Sequence, residues 1–184
     1  YEERGEVTIC FLGEGAMNQG AFYESLNLAS LWDLPVIYVI ENNKYAMGTS
    51  LERASATVDL ASKAAGFNMP GVVVDGMDVA AMWSCIGEAA DRARNDNRPT
   101  LIEAQCYRYR GHSMSDPAKY RTKNEVDDFK TRDPIVMGVT TLLAEGWATE
   151  EEVKGWDKEA KAVAADAAEF AAASPEPDLK DVAE

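Results

Sequence analysis

Residues 12–43 read LGEGAMNQGAFYESLNLASLWDLPVIYVIENN, and the spacing within this stretch decides the fold. The run Val7-Thr8-Ile9-Cys10-Phe11-Leu12 leading into it is apolar and β-branched, as in strands buried in parallel sheets. Gly13-Glu14-Gly15 stops that strand. Two glycines permit a tight turn and let a ligand approach the backbone closely. Phe22, Leu26 and Ala29 then share one helical face. Asp33-Leu34-Pro35 ends the helix, because the residue before a proline is pushed out of the helical region. Val36-Ile37-Tyr38-Val39-Ile40 is a second buried strand, left at its carboxyl end by Glu41-Asn42-Asn43. An acid, Glu14, and two amides, Asn42 and Asn43, therefore stand at the carboxyl ends of two parallel strands, where open α/β sheets bind ligands.

These groups offer hard oxygen. A carboxylate, an amide carbonyl and a loop carbonyl suit magnesium or calcium, not zinc. Free N–H groups at a helix start suit a phosphate. Together they point to a diphosphate bridged by a metal. An Asn-Asn pair by itself is an ordinary turn element; its weight comes from the glycine-acid-glycine upstream, with residues 16–41 between. That combination resembles the thiamine diphosphate-binding pattern. GEGAMNQG, ENNKYAMGTSLERAS, VDGMD and YRYRGHSMSDPAKYR follow in order. They resemble the alpha subunit of the decarboxylating component of pyruvate dehydrogenase over nearly the whole chain, weakening after about residue 145. One departure stands out: Glu14 occupies the place where this pattern usually has aspartate, although the branched-chain 2-oxo acid relatives use glutamate there.

The resemblance implies a partial thiamine diphosphate-binding α/β fold over residues 1–144, a parallel sheet flanked by helices, with a helical extension and tail over 145–184. It implies that Glu14, Asn43 and the main-chain carbonyl of Tyr45 hold Mg²⁺. Gly13, Gly15, Ala16 and Asn43 would line the cofactor, with the Gly15 and Ala16 amides on phosphate. His112 would contact the diphosphate and is the catalytic candidate. The implied reaction is decarboxylation of pyruvate, with the cofactor ring as electron sink and the two-carbon unit passed to a lipoyl group on an acyltransferase. In the family the cofactor lies at the α/β interface of an α2β2 assembly, and the beta subunit supplies the acid that activates its aminopyrimidine. Branched-chain 2-oxo acids and acetoin are alternative substrates. Tyr107-Arg108-Tyr109-Arg110 looks like the pyruvate type, whereas Glu14 is the branched-chain choice. The family places the first strand mid-subunit, so the chain looks like a C-terminal half. Such a piece is expected to be inactive alone, or to associate with itself. The implied location is bacterial cytoplasm or mitochondrial matrix. Ser113 matches a serine phosphorylated in the mitochondrial relatives.

The remaining residues agree with an α/β chain. Over 184 residues, 46% are hydrophobic and 27% charged, enough for one domain with a sizeable core. A net charge of −14 argues against nucleic acid and anionic membranes, and no apolar run approaches the ~20 residues of a membrane helix. Three cysteines without a CxxC pair read as reduced and intracellular. Residues 44–50 form a loop too long for a simple turn, and Asp59 to Ala65 reads as a short helix. Val72-Val73-Val74 is a strand, and Asp78 caps a helix with its stripe at Val79, Met82, Ile86, Ala90 and Ala93. Thr100 to Ala104 is a further strand. The segment from Tyr107 to Arg132 gathers positive charge in an acidic chain, which suits a mobile loop closing over an anion. Asp133-Pro134 opens a helix, and Thr149 with Glu152 forms a capping box ahead of another. The latter carries an apolar stripe at Val153, Trp156, Ala160, Val163, Ala167 and Phe170, which suits packing on the domain or a partner rather than a cofactor. Residues 145–184 hold twelve acids and four lysines, a net −8, and Ser174-Pro175 starts a frayed tail.

Overall fold

A computed structural model describes residues 5–182. The chain forms two compact units, one up to Pro134 and one from Ile135. The first unit opens with β1 (Thr8–Gly13), a 3₁₀ turn (Ala16–Asn18), α1 (Gly20–Leu31) and β2 (Val36–Asn42). A small hairpin of β3 (Tyr45–Ala46) and β4 (Thr49–Ser50) leads into the single turn of α2 (Leu51–Ala54). A second 3₁₀ turn (Ala61–Phe67), β5 (Gly71–Asp75), α3 (Val79–Asp96), β6 (Thr100–Gln105) and α4 (Lys123–Lys130) complete it. The four main strands form one sheet in the order β1-β2-β6-β5, every pair parallel. This is the expected α/β architecture.

Alternation along the strands divides the core between the two faces. Tyr38, Ile40 and Leu101 face α1, where Phe22, Leu26 and Ala29 meet Met17, Leu60, Ala64 and Met69. Ile37, Val39, Ile102, Val74 and Ala104 face α3 and pack on Ala89, Met82, Cys85 and Ile86. The one-face stripe of α1 is thus the one read from the sequence. The Asp78 carboxylate accepts from the Ala80 and Ala81 N–H groups and starts α3. Its absence would leave two amide donors of the first turn unsatisfied.

Three readings change. The run expected over 7–12 forms β1 at Thr8–Gly13, but β1 is an edge: among the described residues it pairs only with β2. Its Ile9 is 42% and its Phe11 62% exposed. Both register with Ile37 and Val39, on the face that α3 covers farther along the sheet. Composition reports that a strand suits burial, not whether a neighbour covers it. The helix expected from Asp59 to Ala65 is a 3₁₀ turn beginning at Ala61, with Asp59 accepting from the Ser62 N–H. Finally, the polar stretch after Gln105, expected as loop, contains α4; Thr122 caps it by accepting from the Glu125 N–H.

The second unit carries α5 (Pro134–Ala144) and α6 (Glu150–Ala173). Gly146, at φ +68, turns the chain after α5. The expected capping box is present: Thr149 Oγ1 accepts from the Glu152 N–H, and Glu152 Oε2 accepts from the Thr149 N–H. On α6, Trp156, Val163 and Phe170 are exposed. No helix among the described residues is long and apolar enough to cross a membrane.

Candidate cofactor site

The register brings the carboxyl ends of three strands level, Gly13 opposite Glu41 and Asn42 opposite Gln105. Glu14 leaves β1 at that level and is buried, 3% exposed. Its Oε1 is enclosed and has no hydrogen-bond partner among the described residues. Gly15 lies flat on the hairpin. A Cβ there would sit 2.4 Å from the Ala46 Cβ, so only glycine allows the turn against β3. The acid-bearing turn and the asparagine loop are therefore neighbours in space. Cys106 shares this end of the sheet, its N–H donating to the Asn42 carbonyl at 3.0 Å. Burial pushes the Cys106 thiol up to about 11, and the Glu41 and Glu14 carboxylates add to that.

The two asparagines divide their work. Asn42 is 6% exposed; its Oδ1 accepts from the Lys44 N–H at 3.1 Å and its Nδ2 donates to Glu103 Oε1 at 2.7 Å. Asn43 is half-buried, and its Oδ1 receives only a long bond, 3.4 Å, from the Tyr45 N–H. Lys44, between Asn43 and Tyr45, sits at φ +72. The bland reading of Asn-Asn as a turn pair is thus physically present, while the Asn43 oxygen keeps a free lone pair. The Tyr45 carbonyl accepts from Arg108 Nη1 at 3.2 Å, again leaving one lone pair. The Tyr45 hydroxyl donates to Glu125 Oε1 at 3.0 Å, which also accepts from the Tyr107 hydroxyl at 2.9 Å. Burial first, then the Glu125 carboxylate, pushes the Tyr45 phenol up to about 12.

The basic segment folds on itself beside this loop. Arg108 Nη2 donates to the Met47 carbonyl at 2.7 Å and the Tyr120 hydroxyl at 2.9 Å. Arg121 gathers the carbonyls of Arg108, Tyr109 and Arg110. Asp116 accepts from the His112 N–H, the Tyr120 hydroxyl and the Ala118 N–H. Those three donors, the His112 N–H foremost, hold the Asp116 carboxyl down to about 2. The His112 side chain itself is exposed, and no described contact joins it to Glu14, Asn43 or Tyr45.

The structure thus assembles Glu14, Gly15, Asn43 and Tyr45 and leaves His112 in the adjoining loop. One local expectation changes. No long helix begins at Gly15-Ala16: the Asn18 and Gln19 N–H groups close a 3₁₀ turn, and the extended Gln19 (ψ 140°) delays α1 to Gly20. Sequence reasoning missed Glu103, Arg108, Glu125 and Arg121. Glu103 carried a signal, a carboxylate inside the apolar run Thr100 to Ala104, where an unpaired charge would be costly. Among the described residues no three His, Cys, Asp or Glu side chains are placed to hold a metal ion together; the candidate metal set is one carboxylate, one amide and one carbonyl.

A carboxylate turn and an asparagine loop thus lie side by side at the carboxyl end of a parallel sheet, and comparison with known proteins gives the family. Residues 1–180 match the family described as dehydrogenase E1 component, and the chain belongs to that family. It is 50% identical over 183 residues to the protein named pyruvate dehydrogenase E1 component subunit alpha of Rhizobium meliloti, covering 99% of this chain and 53% of that one. The protein of that name from Rickettsia conorii is 46% identical over 178 residues, 97% of this chain and 55% of the relative. The mitochondrial one from Sminthopsis macroura is 43% identical over 184 residues, with 50% of the relative covered. The chain spans about half the length of the curated relatives it matches.

Proposed function

We propose that this chain binds thiamine diphosphate through Mg²⁺ and serves in the decarboxylation of a 2-oxo acid, pyruvate in the first instance. The observation that carries the reading is the enclosed, unpartnered Oε1 of Glu14 beside a glycine with no room for a Cβ. A buried carboxylate oxygen without a donor is unfavourable, and a hard cation satisfies it. Asn43 Oδ1 and the Tyr45 carbonyl would be the companion oxygens, and the amides of Gly15 and Ala16, next to Gly13, would hold the phosphates. Glutamate is one methylene longer than the usual aspartate, and the orphaned oxygen of Glu14 supports its use as a ligand all the same.

The cofactor, when bound, supplies the electron sink for loss of carbon dioxide. The chain's own residues bind and orient. Glu125 holds the Tyr45 hydroxyl, Arg108 holds the Tyr45 carbonyl, and Arg121 braces the basic segment beside the loop. His112, in the adjoining loop, would contact the diphosphate, as the resemblance implies. Turnover belongs to an assembly with a beta subunit, which completes the site, and a lipoyl-bearing acyltransferase takes the two-carbon unit. The relatives' names favour pyruvate over branched-chain acids or acetoin; assaying the assembled enzyme on each substrate separates them. The binding claim is tested by calorimetric titration of thiamine diphosphate with Mg²⁺, in the natural protein and in Glu14→Ala. Binding lost in the variant is the expected result. Equal binding by both would remove Glu14 from the metal shell, and no binding by the natural protein in its assembly would end the reading.

A further inference from the structure

Glu103 is the only carboxylate among the described residues that is 0% exposed, and none of the roles above consumes it. Its two oxygens serve two segments distant in sequence. Oε1 accepts from Asn42 Nδ2 at 2.7 Å; Oε2 accepts from the Leu60 N–H at 2.8 Å and the Ala61 N–H at 3.0 Å. The relay continues through Asn42, whose Oδ1 accepts from the Lys44 N–H at 3.1 Å. Lys44 is the left-handed residue between Asn43 and Tyr45, the two loop residues that offer oxygen to the metal. We propose that Glu103 is a positioning residue: acting through Asn42, it sets the backbone turn at Lys44 and thereby aims the Asn43 amide and the Tyr45 carbonyl at a divalent cation. This rests on the metal reading given above.

The argument is one of donor and acceptor polarity. A carboxylate accepts at both oxygens, so the Asn42 amide must present Nδ2 to it and Oδ1 to the Lys44 N–H. In Glu103→Gln, one of the two positions becomes a donor. If the introduced amide keeps its oxygen on the Leu60 and Ala61 N–H groups, its nitrogen faces Asn42 Nδ2, donor against donor. Rotating the Asn42 amide moves that conflict to the Lys44 N–H. Either way the loop loses one buried bond and its unique setting. An aspartate at position 42 removes the conflict, accepting from the introduced amide with one oxygen and from the Lys44 N–H with the other. The pair Glu103→Gln with Asn42→Asp therefore restores the relay with its polarity reversed and its total charge unchanged. A wholly structural Glu103 predicts no such rescue at the metal.

The test uses the natural protein in its assembly, with Mn²⁺ as the spectroscopic probe and thiamine diphosphate present. Mn²⁺ affinity is read by electron paramagnetic resonance, and hydrogen exchange by mass spectrometry on the peptide covering residues 41–47. Glu103→Gln should weaken Mn²⁺ about 10- to 100-fold, the usual range for residues that orient metal ligands, and speed exchange in that peptide. Glu103→Gln/Asn42→Asp should return both toward the natural values. Should Glu103→Gln fail to fold, Asn42→Ala stands in, because it breaks the relay while leaving the Leu60 and Ala61 amides their acceptor. Unchanged Mn²⁺ affinity in Glu103→Gln or Asn42→Ala, or no recovery in the double variant, overturns the positioning role and leaves the metal site intact. A natural protein that takes up no Mn²⁺ overturns the metal reading and this proposal with it.

Discussion

Replacing Glu14 by methionine should stabilise the metal-free protein and destabilise the loaded one. Methionine keeps the length of the side chain and removes the enclosed oxygen that lacks a donor. An unsatisfied buried polar atom costs about 1–3 kcal/mol. A flexible thioether fills an irregular apolar gap at small cost, so a gain of about 2 kcal/mol is expected without metal. For a chain of this size that is about 4–8 °C in melting temperature. With Mg²⁺ and thiamine diphosphate at a hundred times their dissociation constant, the natural protein gains about 2.7 kcal/mol by mass action and the variant gains nothing. The order of the two melting curves therefore inverts when ligand is added. The assay is thermal unfolding by calorimetry with EDTA, then with both ligands. A Glu14→Met protein that melts below the natural one in EDTA would refute the reasoning, because it would mean the carboxylate is satisfied by the protein itself.

Gly15→Ala should cost about 1–3 kcal/mol, since its Cβ meets that of Ala46 at 2.4 Å; adding Ala46→Gly should recover most of the loss, a double-mutant cycle read by urea unfolding. Asp78→Ala should cost about 1 kcal/mol through the cap of α3, and Asp78→Asn much less. The Asp116 carboxyl, held down to about 2 from its ordinary 3.8, favours the folded loop above pH 3.8, and that contribution is lost as pH falls toward 2; hydrogen exchange of residues 111–121 should quicken across that window and not above it. The Tyr45 phenol, pushed up to about 12 from 10.0, works in the opposite direction. It favours the folded loop below pH 10 and ceases to as pH rises toward 12, so phenolate absorbance should appear late and together with loosening of the hairpin.

The strands, the α1 stripe, the Asp78 cap and the Thr149 box were legible because each is a local matter of spacing and of one side chain reaching the nearest amides. The acid and the asparagine loop were legible as a pair because both sit at strand ends, and parallel strands put their carboxyl ends together. What escaped depends on partners far along the chain. Glu103 could be marked as odd within its strand, yet Asn42 and Leu60 lie 61 and 43 residues away. Helix α4 hid because Lys123–Lys130 holds only Val126 and Phe129 as large apolar residues, too few to show a period. Its use is to carry Glu125 to two tyrosine hydroxyls, a role no spacing announces. The exposure of β1 likewise turns on what stands beside it.

That open strand has a colloidal consequence. Among the described residues the outer side of β1 is unpaired, and beside exposed Ile9 and Phe11 it is a template for another strand. The chain also carries a net −14, of which −8 lies in residues 145–184, so two copies approaching edge to edge repel. The range of that repulsion shrinks from about 10 Å at 0.1 M salt to about 3 Å at 1 M. Purified alone, the chain should therefore stay dispersed in dilute buffer and cluster as salt is added, the reverse of proteins that salt helps dissolve, and light scattering along a sodium chloride series would follow it.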